Sequence, residues 1–257
     1  MVYLVLAIVC SSIINWLFRV FKRQNVGTLQ AIVVNYITCS SIGQFWSGEF
    51  IFSQAHIQEN YFWFALILGT LFIGIFFSMA RTTALFGVSA NAVSAKMGLI
   101  FPTLFFFFYL KESMNSWHWA GIGFALLAVF LINRKTTKQD SDSKAYYYPI
   151  LVFLGSGVID TCMKWIDITY LKGASPLMPT TTIFTGAGII GIVVLLFSKQ
   201  WNIKPKEWIA GIALGIPNYF SIYFLQLILL HQYNHYFYLQ YYLALHLFLI
   251  ETLFHNF

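Results

Sequence analysis

Runs of about twenty residues with almost no charge follow one another along this chain, and a water-soluble fold has nowhere to put them. They fall at Val2–Phe21, Thr28–Trp46, Tyr61–Ala80, Val88–Leu110, Trp117–Ile132, Tyr147–Ile166, Met178–Phe197 and Glu207–Leu230. A last run, Tyr236–Ile250, is short for a full crossing. Only 9% of the 257 residues are charged, against about 25% in a soluble domain, and 59% are hydrophobic. The runs are continuous rather than alternating, which argues against a β-barrel. The first run lacks a basic leader and continues to Phe21 with no clear cleavage site, so it reads as a span. The expected fold is an all-α integral membrane protein, a polytopic bundle of about 8–9 transmembrane helices.

The net charge of +6 does not point to nucleic acid, because the cations sit where membrane topology puts them. Lys22, Arg23, Arg81, Arg134, Lys135, Lys138, Lys144, Lys199, Lys204 and Lys206 fall in connections on one side of the expected spans. Lys111 and Lys172 fall on the other. The positive-inside rule makes the first side cytoplasmic and the N-terminus external. Cys10, Cys39 and Cys162 lie in apolar runs without CxxC spacing and read as small buried hydrophobes.

Two stretches 145 residues apart share a pattern. Ser11, Asn15 and Arg19 map onto Ser156, Asp160 and Lys164; Gly43 maps onto Gly188, Trp63 onto Trp208 and Ala65 onto Ala210. One further residue brings Gly69 onto Gly215. A polar residue with a cation one turn later is costly in lipid, and its recurrence suggests a duplicated unit with a polar interior.

The cavity candidates follow from the cost of burying polar groups in an apolar span. A lysine at a span's centre costs about 2.5–3.5 kcal/mol, so Lys96, in Asn91-Ala-Val-Ser-Ala-Lys96, either faces a cavity or partner or snorkels to the interface. Asn15 and Arg19 share a helix face, as do Asp160 and Lys164, and the second pair could bond internally. Asn35, which matches Thr180, and Asn91 and Asn218 offer neutral hydrogen bonds to a solute. Gly121 with Ala125, and Ala187 with Gly191, have the spacing of close helix packing. Pro102 and Pro217 each remove a helix hydrogen bond and favour a kink. Glu112 suits a cap or a structural ion pair better than catalysis. No HExxH, GxSxG or phosphate-cradling glycine loop occurs, so the chain is not expected to be an enzyme, and no cofactor or metal is expected.

The series Gly87-Val88-Ser89-Ala90-Asn91-Ala92, Pro102, Tyr109-Leu110-Lys111-Glu112 and Trp119-Ala120-Gly121-Ile122-Gly123, closed by Asn133-Arg134-Lys135, resembles the end of an EamA domain of the drug/metabolite transporter superfamily. The resemblance covers residues 1–133 as one five-helix repeat. Residues 134–146 form a polar linker, and 147–230 look like part of a second repeat. It implies inverted five-helix repeats in a carrier of small organic metabolites, working by alternating access, with Pro102 and Glu112 as structural positions. It also implies cytoplasmic termini, which the Lys/Arg distribution opposes.

The second repeat is expected to stop short. Residues 231–257 contain no Gly or Pro, and they hold His231, His235, His246 and His255. They read as biased composition, a frameshifted or truncated end, rather than a metal site. The leading functional expectation is a multi-pass secondary transporter of the cell membrane, an exporter in the sense the resemblance implies, whose partners are the lipid bilayer, a small solute and a coupling ion. The alternatives are a non-transporting membrane protein of the same fold and an inactive truncated member.

Overall fold

The computed structural model describes residues 2–98, 100–110, 119, 123, 147–171, 175 and 177–231. Among them the regular elements are helices: α1 Val2–Arg23, α2 Thr28–Ser47, α3 Gln54–Ile57, α4 Phe62–Phe86, α5 Val88–Met97, α6 Ile100–Leu110, α7 Tyr147–Ile166, α8 Leu177–Phe197 and α9 Pro205–His231. A π-helical turn, Asp167–Leu171, extends α7.

Six segments among the described residues are long and apolar enough to cross a membrane. They start at Val5, Phe62, Val88, Tyr147, Leu177 and Pro205. The expected larger number is not reached. The runs Trp117–Ile132 and Tyr236–Ile250, apart from Trp119 and Gly123, lie outside the described residues. The 20-residue α2 forms as expected but carries Gln30, Asn35, Thr38, Ser40, Ser41 and Gln44, which make it too polar to count. Large apolar side chains such as Phe45, Ile67, Phe108 and Phe197 are exposed, which suits a lipid-facing surface.

Helix ends are set locally. At the end of α1, Val26 N–H donates to Phe21 O, and at the end of α8, Gln200 N–H donates to Leu195 O. Each is the six-to-one bond of a Schellman stop, with Asn25 and Lys199 in the left-handed region. Gly87 separates α4 from α5 at φ 91° and ψ 169°, a backbone that only glycine adopts readily.

Contacts divide the chain into two compact units. The first holds Met1–Phe77 and Trp165–Asn234; the second holds Ser78–Lys164 and His235–Phe257. Each takes chain from both sides of residues 134–146, so the packing units are not the sequence halves.

In the first unit, α2 and α8 cross antiparallel. Val33 lies against Gly191, Tyr36 against Gly188 and Gly43 against Thr181, while Ser40 Oγ and Thr185 Oγ1 are 2.7 Å apart. The 145-residue offset that carries Ser40 onto Thr185 also carries Tyr36 onto Thr181 and Gly43 onto Gly188. The contacts therefore exchange with one another about an approximate two-fold centred on Ser40 and Thr185. The same exchange relates Gly215 against Thr38 on α2 to Gly69 against Ile183 on α8.

Glycine makes these approaches possible. A Cβ on Gly69 would lie 2.4 Å from Ala187 N and Ile183 O, and one on Gly186 would lie 2.2 Å from Leu66 O. Around the crossing, Tyr36, Phe72, Phe76, Phe184 and Tyr219 form an aromatic core, with Tyr36 Oη donating to Phe72 O at 2.9 Å.

Candidate functional site

The sequence candidates fall into two groups, one in each unit. In the second unit, α6 and α7 approach through glycine: a Cβ on Gly157 would sit 2.7 Å from Gly98 O, and one on Gly98 2.9 Å from Phe153 O. Phe101 and Phe153 pack beside this crossing at 5.2 Å between rings. Lys96 precedes Gly98 by two residues, and Asp160 follows Gly157 by three. Lys96 and Asp160, both half-buried, thus lie on either side of this approach. The crossing brings a cation on α5 toward the helix of Asp160, in addition to Lys164 on that helix, which the sequence had offered. Lys164 is itself buried, at 6% exposure, one turn further along α7. Asn91 is fully buried on α5, beside Ser94.

The helix carrying Lys96 breaks, though not where its proline predicts. The expected fourth span is two helices, α5 and α6, separated at Gly98. Pro102 stands in the first turn of α6, where a missing N–H is harmless. Its i−4 position is Gly98, so the absent bond falls at the break, and Gly98 O accepts from Phe101 N at 3.0 Å instead. Pro217 lies inside α9, which continues as one helix past it. Glu112 lies outside the described residues.

In the first unit several of the buried polar groups between helices are neutral. Asn218 Nδ2 on α9 donates to Asn35 Oδ1 on α2 at 3.1 Å, and both residues are buried. Cys39 Sγ donates to Gly215 O at 3.3 Å and lies 3.8 Å from Asn35 Oδ1. This thiol is free, as are those of Cys10 and Cys162. Asn15 turns inward on its own helix, its Nδ2 donating to Ser11 O at 3.1 Å, and Arg19 is half-buried one turn on. The structure thus joins Asn35 to Asn218 and places Lys96 and Asp160 at one helix crossing. Asn15 and Arg19 belong to the first unit and Lys164 and Asn91 to the second.

Sequence reasoning missed three consecutive buried threonines at the start of α8. Thr180 Oγ1 donates to Gln226 Oε1 on α9. Thr181 fills the space left by Gly43 on α2. Thr182 meets His56, whose Nε2 lies 2.9 Å from the threonine hydroxyl. A Thr-Thr-Thr run in an apolar span was the available signal, since successive helical positions face different neighbours. Glu207 was also missed: it is buried at the start of α9, and its Oε1 accepts from Gly27 N at 3.2 Å. Its neighbour Lys206 donates to Asn25 O at 2.7 Å, so the two residues fasten α9 to the α1–α2 turn. Among the described residues no group of His, Cys, Asp and Glu is placed to hold a metal ion.

Comparison with known proteins adds a single kind of likeness. The chain is 27% identical over 229 residues to an uncharacterized protein of Haemophilus influenzae. The match covers 86% of this chain and 77% of that protein. No family model matches the chain, and no solved structure matches it.

Proposed function

We propose that the protein is a secondary transporter of small organic metabolites in the cell membrane, an exporter working by alternating access. The observation that carries this reading is the placement of Lys96 and Asp160, on different apolar helices, beside the close glycine approach of Gly98 and Gly157. A helix-bound charge in lipid is expensive and tends to mark a solute or ion path. Helices interrupted near such charges are a recurrent way of building carrier sites.

The α2–α8 crossing supports the architectural side of the reading. An antiparallel pair that exchanges under the repeat offset has its two-fold axis across the helices. For membrane-crossing helices that axis lies in the membrane plane, as in inverted repeats. An EamA-like carrier of the drug/metabolite class is the family reading consistent with this arrangement. Lys96 and Asp160 would meet the charged parts of the solute or a coupling ion. Asn35, Asn91 and Asn218 would offer neutral hydrogen bonds, and no covalent chemistry is required.

Metabolite profiles of cells overexpressing the protein, compared with deletion cells, would reveal the solute class. Flux of that class in proteoliposomes would then be measured for wild type and for Lys96→Met and Asp160→Asn. Flux that is absent from wild type, or unchanged in both variants while insertion is normal, would overturn the proposal.

A further inference from the structure

His56 lies in the connection between α2 and α4, a segment that contains Glu49 and Glu59 and neither Lys nor Arg. By the distribution of Lys and Arg along the chain this connection faces away from the cytoplasm. The segment is nevertheless pinned to a span. His56 is buried at 5% exposure, and both of its ring nitrogens are engaged.

The direction of the bonds is fixed. Thr182 Oγ1 donates to Met178 O at 2.8 Å, so it can only accept from His56, and the ring carries its proton on Nε2. Nδ1 is then an acceptor, and Tyr61 Oη donates to it at 3.4 Å. Tyr61 and Phe62 present their rings edge-on to the imidazole, at 5.6 and 5.4 Å between centroids. Ser53 Oγ accepts from His56 N and starts the short turn that presents the ring.

This surrounding suits a neutral imidazole and not its cation. Thr182, from α8, and Tyr61 are uncharged partners, and no carboxylate among the described residues is within salt-bridge distance of the ring. Burial holds the imidazole pKa below its ordinary value, while the more distant Glu49 and Glu59 pull it upward more weakly. A group that binds a proton less readily when docked than when free makes docking weaken as pH falls. The docked segment is stabilised above the ordinary imidazole pKa of about 6.5, and that stabilisation is lost on acidification below it.

We propose that His56 is an acid-weakened latch: docked on Thr182 it holds the 48–61 segment against α8, and protonation loosens the segment by charging a buried ring and turning Nδ1 from an acceptor into a donor facing the Tyr61 hydroxyl. Thr180 and Thr181, which contact α9 and α2, adjoin the latch residue, so release loosens the helix start where three neighbours meet. The inference stands on the docking geometry and does not require that the protein be a carrier.

Hydrogen exchange of the amides that the docked turn protects provides the test. The amides of His56, Ile57, Glu59 and Phe62 are hydrogen-bonded within the segment. Their rates, divided by the intrinsic rate at each pH, would be followed from pH 7.5 to 5 in the detergent-solubilised full chain. Protection should fall in wild type, by at most about tenfold per pH unit for one linked proton. In His56→Gln, which keeps a donor toward Thr182 but cannot titrate, protection should stay level. Flat protection in wild type, or an equal fall in His56→Gln, would overturn the latch. Should His56→Gln not fold, the imidazole resonances of wild type decide: titration at or above the ordinary value refutes the proposal, and titration below it supports it.

Discussion

The two compact units place different polar groups between their helices. In the first, neutral side chains bond across helices, as in Asn218 to Asn35, Thr180 to Gln226 and Ser40 with Thr185, and the buried Glu207 sits at a helix start. In the second, a half-buried lysine and a half-buried carboxylate from different helices flank a glycine crossing, and a second lysine is buried on the same helix as the carboxylate. Neutral pairs cost little to bury and fix the register of helices. Buried charges cost far more and are strong functional candidates. The proposed solute path therefore rests on the charged residues of the second unit, while the neutral pairs of the first set helix register.

The largest effect should come from the charged group. Lys96→Met or Asp160→Asn is expected to lower flux by at least about tenfold, or 1.4 kcal/mol in barrier, with normal insertion. Removing both should damage folding less than removing either, because neither charge is then left alone. Thermal unfolding of the three variants in detergent measures the second part. Equal or greater loss in the double variant would break the contrast between the units.

Next comes the packing of the first unit. Gly69→Ala places a Cβ 2.4 Å from backbone atoms of α8, which cannot turn aside as a side chain could. A loss of about 1–3 kcal/mol is expected, visible as a lower Tm. Gly74→Ala, where no atom would lie within 4 Å of the new Cβ, is the matched control and should unfold like wild type.

A smaller effect is expected at the neutral pair. Asn218→Leu leaves Asn35 Oδ1 without its donor from α9 and should cost about 1–3 kcal/mol. Flux per folded molecule should change less than in the Lys96 variant. A collapse of flux with unchanged stability would move Asn35 and Asn218 from packing to solute contact.

The smallest stability change belongs to the α2–α8 crossing. A Cβ on Gly43 would sit 2.8 Å from Thr181 Cβ, whereas one on Gly188 would sit 3.9 Å from Tyr36 Cβ, ordinary contact. Gly188→Ala should therefore unfold within about 0.5 kcal/mol of wild type. If the carrier reading holds and the two repeats exchange roles in the transport cycle, the same change should slow flux, because Gly188 would then take up the tight position now held by Gly43. Normal flux in Gly188→Ala would remove that exchange while leaving the static contact pattern in place.

The sequence alone determined that the chain is helical and apolar enough for a membrane. The runs from Val2, Thr28, Tyr61, Tyr147, Met178 and Glu207 match helix starts to within a few residues, because apolar length and solvent cost are properties of local sequence. It also singled out Lys96, Asp160, Asn35 and Asn218, because a polar atom in an apolar run stands out wherever it points. Which of these meet was decided by tertiary structure. Asp160 is brought to the crossing beside Lys96 as well as sharing a helix with Lys164, since neighbours are chosen by how α7 crosses the α5–α6 break. That break lies at Gly98, the residue whose carbonyl Pro102 has no N–H to bond, and the lack of a Cβ there lets α7 approach closely. His56 drew no notice, for its significance lies in Thr182, 126 residues away, and in the direction of a threonine's hydrogen bond. The repeat was visible as an offset of 145, but only the packing of α2 on α8 brought Ser40 against its own counterpart.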